Sequence, residues 1–247
     1  ANAIVYCCAK PIFVDSEPRT WNINVAQIES KITERTKAIM PVHIYWHPVD
    51  MDPLLKIAKK HNLFVIEDAA EAHGAAYKDR VIGSGSDAAC FSFYANKIIT
   101  TGEGGMVVTN NEKIAEKARS LRNHAFGKPR FIHKEIGFNY RMTNIQAAIG
   151  CAQMEKINEF IEARRAHAQL YNSLLSHEKT LTLPIEESWA KNVYWMYGIL
   201  IEEGFGRTKE EVMIELLKMG IETRSFFMPM HMQPVYMQPN YSDSIRG

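Results

Sequence analysis

"CFSFYANKIITTGEGGMVVTN" (residues 90–110) places one lysine between two stretches that read as buried strands. The first apolar run, from Cys90 to Tyr94, halts at Asn96-Lys97. A threonine pair and a glycine-rich turn then lead into a second run, Met106 to Thr109. A lysine amine is a nucleophile only when neutral, and burial beside apolar strands favours the neutral form. Such an amine can form a Schiff base with a carbonyl. Gly102, Gly104 and Gly105 would let backbone approach a ligand closely, and Ser92 and Thr100 offer hydroxyls to an anion. The ordinary alternative is a lysine at a strand end that reaches solvent.

Upstream lies "VIEDAAEAHGA" (65–75), a continuous apolar run that stops at two carboxylates. In open parallel sheets, ligands sit at the carboxyl ends of the strands. Glu67 and Asp68 occupy one such end, and strand alternation sends them to opposite faces, so only one can face a ligand. A buried carboxylate there requires a positive partner. A solvated strand-end acid or a helix cap explains the motif equally well.

Around these motifs the pattern is that of βαβ units. "KAIMPVHIY" (37–45) predicts a strand, "DPLLKIAKKHN" (52–62) a helix capped by Asp52, and "LFVIED" (63–68) a central strand. "NEKIAEKARSLRNH" (111–124) predicts a helix, and residues 143–176 a long helix with a kink or break. Beyond it, "NVYWMYGILIE" (192–202) and "IETRSF" predict strands on either side of a helix, "TKEEVMIELLKMG" (208–220). The expected division is a large domain over 1–183 and a small α+β domain over 184–247.

Bulk properties exclude several classes. The 247 residues carry 29 basic and 28 acidic side chains, a net charge of +1, which argues against nucleic acid or an anionic membrane as the main partner. No apolar run is long enough to span a bilayer and no signal-peptide pattern opens the chain. Cys7, Cys8, Cys90 and Cys151 match no zinc or redox spacing and are expected to be reduced, mostly buried thiols of a cytosolic protein. "GSGSDA" (83–88) matches a dinucleotide fingerprint loosely, but an apolar strand follows where a helix is needed. The histidines of "HIYWH" (43–47) sit on a strand and turn, not on the helix face that zinc favours, and are expected to be core or surface residues.

"FVIEDAAEAHGA", "CFSFYANKIITTGEGGMVVTN" and "IGFNYRMTNIQAAIG", in this order and spacing, resemble the DegT/DnrJ/EryC1/StrS family of pyridoxal-phosphate sugar aminotransferases. The resemblance runs from the first residue to about "RSFFMPMHMQPVY" (224–236). It implies the aspartate-aminotransferase fold (fold type I): an α/β/α sandwich with a mainly parallel sheet, a small C-terminal domain, and a homodimer with shared active sites. It also implies a fragment, because the family places a phosphate-gripping turn, a helix and a strand ahead of "ANAIVYCCAKPIFVD", and continues past "NYSDSIRG".

The resemblance assigns roles residue by residue. Lys97 would hold pyridoxal 5'-phosphate covalently and shuttle a proton. Asp68 would pair with the pyridine nitrogen, Ser92 with the phosphate, and Asn139 with the phosphate in the partner subunit. Glu71 stands where many relatives carry glutamine against the phenolic oxygen, so it must be protonated, turned aside or bridged. Arg224 and His231 fall in the substrate stretch, and an ordinary surface role suits them equally. His73 is expected to be structural, and Arg122, His124, Tyr140 and Arg141 to be interface or packing residues. A dehydratase branch of the family has histidine in place of the lysine, so Lys97 favours transamination. The implied reaction moves an amine from L-glutamate to a nucleotide-linked 4-keto-6-deoxyhexose in the cytoplasm, giving a 4-amino sugar nucleotide of the perosamine type. A regulatory protein that keeps the fold without turnover, or an aminotransferase for a cyclitol ketone, remains an alternative.

Overall fold

The computed structural model describes residues 1–129 and 131–237, so the end of the expected 184–247 domain, with "NYSDSIRG", lies outside the described residues. Its central sheet has the order β1-β2-β5-β6, where β1 is Ala38–Ile39, β2 Phe64–Asp68, β5 Ala88–Ser92 and β6 Gly105–Val108. β1, β2 and β5 run parallel, and β6 returns antiparallel beside β5. The sheet is therefore mainly parallel, as predicted, with an antiparallel edge.

The connections explain the register. Between β1 and β2 lies helix α1 (Met51–Lys60), whose buried Met51, Leu54 and Ala58 recur at helical spacing. Asp50, not Asp52, precedes its first turn. The Asp50 carboxylate accepts instead from the Tyr77 hydroxyl (2.6 Å), while Asp52 pairs with Lys78 and Arg80. β1 is much shorter than the predicted 37–45. Pro41 has no N–H to give to a ladder, Tyr45 takes a left-handed backbone (φ 51°), and a 3₁₀ turn forms at Ile44–Trp46. The segment still flanks β2, because His43 N–H donates to Asp68 O and Asp68 N–H to Pro41 O.

A second sheet has the order β4-β3-β8 (Arg80–Val81, Ala76–Tyr77 and Ala190–Lys191). Its hydrogen bonds thus tie residue 190 to residue 77, across the boundary expected at 183/184. Helix α2 (Glu112–Leu121) is capped by the Asn111 side chain. The long 143–176 pattern does break, at Lys156, into α3 (Asn144–Glu155) and α4 (Ile157–Leu175). Helix α5 (Lys209–Lys218) opens on a Thr208–Glu211 capping box. β7 (Leu181–Thr182) pairs with β9 (Leu200–Ile201).

Three further expectations fail. Of "NVYWMYGILIE" only Leu200–Ile201 is a strand, because Tyr194 takes φ 45° and breaks the extended run. "IETRSF" forms no strand; its Phe226 packs instead among Trp21 and Tyr45. All four cysteines are exposed rather than buried. Cys90 lies on the outward face of β5, whose ladder neighbours Asp68 and Val107 share that face.

Candidate active site

β2 sets the first part of the site. Val65 and Glu67 turn to the buried side and Asp68 to the other, as the period of two requires. Glu67 accepts from Gly83 N–H (3.1 Å) and pairs with His43 Nε2 (2.8 Å). His43 Nδ1 accepts from Val49 N–H, so the ring proton belongs on Nε2 and points at Glu67. Asp68 Oδ1 accepts from Ala70 N–H (3.1 Å) and shapes the turn after the strand. Its second oxygen has no partner among the described residues.

The turn from β5 to β6 presents Lys97. Buried Ile98 and Ile99 anchor it, Thr101 N–H and Thr100 Oγ1 both donate to Phe93 O, and Gly102 N–H donates to Thr100 Oγ1. The Thr100 hydroxyl is therefore spent on the turn rather than offered to an anion. At Gly104 (φ 147°), which L side chains rarely adopt, a Cβ would also lie 2.7 Å from Thr101 Oγ1. Lys97 makes no ion pair among the described residues, and its Nζ lies 4.0 Å from the centroid of the Trp195 ring. Burial pulls its amine below the usual lysine range, against Glu71 and Asp68, whose charges favour the ammonium.

Glu71 is buried and accepts from Tyr45 N–H (2.9 Å). Burial pushes its carboxyl up, opposed by the Lys97 charge and the Tyr45 amide. Glu71 is thus held by a backbone amide, with burial raising its carboxyl above the usual range. His73 is 3% exposed, tilted against Phe91 and Phe93, and neither ring nitrogen makes a well-formed hydrogen bond among the described residues. Burial, helped by the neighbouring Lys97 charge and opposed by the Ser92 backbone, drops its imidazole to about 4.

Lys97, Asp68, Glu71 and His73 thus act on one another, and Ser92 shares the Asp68 face because Asp68 is opposite Cys90, two residues before it. Asn139, Arg224 and His231 make no contact with this group. Asn139 sits on an exposed loop bridged to Asn123, Arg224 pairs with Glu222 (3.6 Å), and His231 lies in an exposed 3₁₀ turn. Sequence reading missed two contributors. Tyr45 acts through its backbone N–H, which no side-chain motif reveals. Trp195 was hidden in a segment that reads as strand. No cluster of metal-ligating side chains occurs among the described residues.

The chain matches the model of the DegT/DnrJ/EryC1/StrS aminotransferase family over residues 1–245. It belongs to that family. GDP-perosamine synthases of Caulobacter vibrioides and Escherichia coli O157:H7 are 48% and 46% identical to it, each over 96% of this chain. The chain spans 64% of the length of each of these two relatives. Helicobacter pylori PseC, an aminotransferase of pseudoaminic acid biosynthesis, superposes with a TM-score of 0.91 at 30% identity, over 99% of this chain and 68% of that one. DesV of S. venezuelae, solved with a ketimine intermediate, gives 0.87 at 33% identity, over 96% and 65%. The family's fold, type I of the pyridoxal-phosphate enzymes, is the fold observed, and its cofactor is pyridoxal phosphate.

The residues present fit that cofactor. It needs an amine that can lose its proton, an acid for a ring nitrogen, and a donor for a phenolic oxygen. The site supplies a desolvated Lys97, an Asp68 oxygen with no partner among the described residues, and a Glu71 carboxyl that burial raises above the usual range.

Proposed function

We propose that the protein containing this chain transfers an amine from L-glutamate to a nucleotide-linked 4-keto-6-deoxyhexose, using pyridoxal phosphate. The observation that carries the reading is the Lys97 amine, desolvated and coupled to Asp68 and Glu71 at the carboxyl end of a parallel sheet. The likeness to GDP-perosamine synthases supports the class of sugar.

Pyridoxal phosphate, when bound, supplies an aldehyde for the lysine and a ring that withdraws electrons from the bond being broken. Lys97 Nζ would hold the group through the amine that burial keeps inclined to lose its proton, and would carry a proton to and from the amino donor's Cα. Asp68 would accept from the N–H of the ring nitrogen. Glu71, protonated, donates to the phenolic oxygen. An ionised Glu71 would repel that oxygen. Ser92 donates its hydroxyl to the phosphate.

Asn139 is proposed to serve the site of a partner subunit, which accounts for its distance from this one. The loop around it exposes Ile136 (88%) and Tyr140 (74%), and the first turn of α3 exposes Ile145 (76%), apolar surface suited to a homodimer contact. Arg224 and His231 are proposed on the substrate side. The segment between them reaches the site through Phe227 N–H, which donates to the Tyr45 hydroxyl (2.8 Å). No helix among the described residues is long and apolar enough to cross a membrane, and a cytoplasmic location is proposed.

A different reading also has support among the relatives. The pleiotropic regulatory protein of Geobacillus stearothermophilus is 38% identical over 98% of this chain. One experiment separates the two. The purified full-length protein should be yellow, borohydride should fix the cofactor to Lys97, and glutamate should shift the absorbance to the aminated form. Colour that no amino acid changes would support the regulatory reading instead.

A further inference from the structure

Trp195 touches the reactive lysine at two places. Its ring face lies under Lys97 Nζ, 4.0 Å from the centroid, and its indole N–H donates to the carbonyl of Asn96, the preceding residue, over 2.6 Å. The side chain is itself fixed. It is 5% exposed, and its own carbonyl accepts from Arg164 Nη1 of α4 (2.7 Å). One rigid indole therefore holds both the backbone before Lys97 and the far end of the lysine side chain.

We propose that Trp195 is a positioning residue, the seat on which the Lys97 amine rests whenever it is not covalently engaged. This rests on the role given to Lys97 above. A lysine side chain has many rotamers to lose, and a ring face in van der Waals contact removes most of them. The seat also acts on charge. The electron-rich face of an indole attracts an ammonium, most of all where water is excluded. It opposes the desolvation that favours the neutral amine, so the seat retains the proton on Nζ while the lysine is idle. The other ionisable groups that act on Nζ are Glu71, Asp68 and His73.

The test uses the full-length protein saturated with pyridoxamine phosphate, so that Lys97 is free. The readout is the pH dependence of Lys97 acetylation by acetic anhydride, followed by mass spectrometry of its peptide. Tryptophan is replaced biosynthetically by fluorotryptophans of increasing fluorine number, which weaken the π face at nearly constant shape; among the described residues, Trp195 is the tryptophan whose ring lies against Lys97. The acetylation midpoint should fall stepwise with fluorination, by about one pH unit across the series. Trp195→Phe should lie between the wild type and Trp195→Leu, which should fall furthest. A midpoint that stays constant across the series and in Trp195→Phe overturns the proposal. Failure of the Lys97 assignment would show differently, as borohydride fixing the cofactor elsewhere or nowhere, whatever the midpoint does.

Discussion

His43 Nε2 and Glu67 Oε2 meet at 2.8 Å with both side chains buried, on the side of β2 opposite Asp68. The contact joins two neighbouring segments, and the His43 backbone also donates to Asp68 O. The strand tip that carries Asp68 is thus braced from behind. Removing one member leaves the other buried without its partner. His43→Ala should cost about 3–5 kcal/mol, read as a lower urea midpoint. Glu67→Gln should cost less, because an amide oxygen can still accept from Nε2–H. Equal losses for the two variants would show that a neutral amide cannot replace the carboxylate, and that the hydrogen bond alone does not carry the contact.

Acid should weaken the fold in two stages. His73 is held at about 4 by burial, below its usual 6.5, so the unfolded chain binds a proton there first. The stability this lends is complete above pH 6.5 and declines as pH falls toward 4, by on the order of 2–4 kcal/mol. Burial works to raise Glu67, but the bonds from His43, Ser86 and Gly83 outweigh it and leave it below 4.5. Its contribution is present above 4.5 and is lost as pH drops through the lowered folded value. His73→Asn should flatten the upper stage and leave the lower one. A melting profile unchanged by this substitution between pH 4 and 6.5 would contradict the assignment.

Asp68→Asn isolates charge from shape. Asn Oδ1 still accepts from Ala70 N–H, so the turn after β2 should fold and the melting temperature should hold. What is lost is the anion for a ring nitrogen. Cofactor should bind more weakly and kcat should fall roughly 10²–10⁴-fold, the range a positioned proton-transfer partner usually contributes. Full activity in the variant would remove Asp68 from the mechanism.

These residues show why the sequence was legible at some positions and silent at others. Asp68 and Lys97 could be read because strand ends and glycine-rich turns leave marks in composition, and α1 to α5 because apolar spacing and caps are local. The strands predicted at 37–45, 192–202 and in "IETRSF" were not, because Pro41, the left-handed Tyr45 and Tyr194, and the packing of Phe226 override propensity. Tyr45 and Trp195 reach the site only through tertiary contacts, one by an amide and the other from a hundred residues away in the chain. Cys90 is exposed because it takes the outward face of β5, and Cys151 because of its place on α3, properties of position and not of residue type.

Glu71→Gln tests the protonated carboxyl. Burial raises the Glu71 value, so its stabilising contribution is greatest in acid and declines as pH rises through the folded value. Glutamine resembles the protonated acid and has no charge to bury. The variant should gain several degrees of melting temperature over wild type at pH 8 and little or nothing at pH 4. It should also keep its activity at alkaline pH further than wild type does. A wild type that outlasts the variant in base would show that the ionised carboxylate is the working form.

The proposal that Asn139 crosses to a partner's cofactor can be tested by mixing two damaged subunits. Lys97→Ala and Asn139→Ala homodimers should each be impaired, Lys97→Ala the more severely. If each site draws Lys97 from one chain and Asn139 from the other, a heterodimer of the two variants concentrates both defects in one site and leaves the other intact. After denaturation and refolding together at equal ratio, about half of the dimers should be such heterodimers, and activity should recover to about a quarter of wild type from near zero. Were both groups drawn from the same chain, every heterodimer site would carry one defect and mixing would give no more than the average of the two parents. Recovery at that average would place Asn139 outside the partner's site.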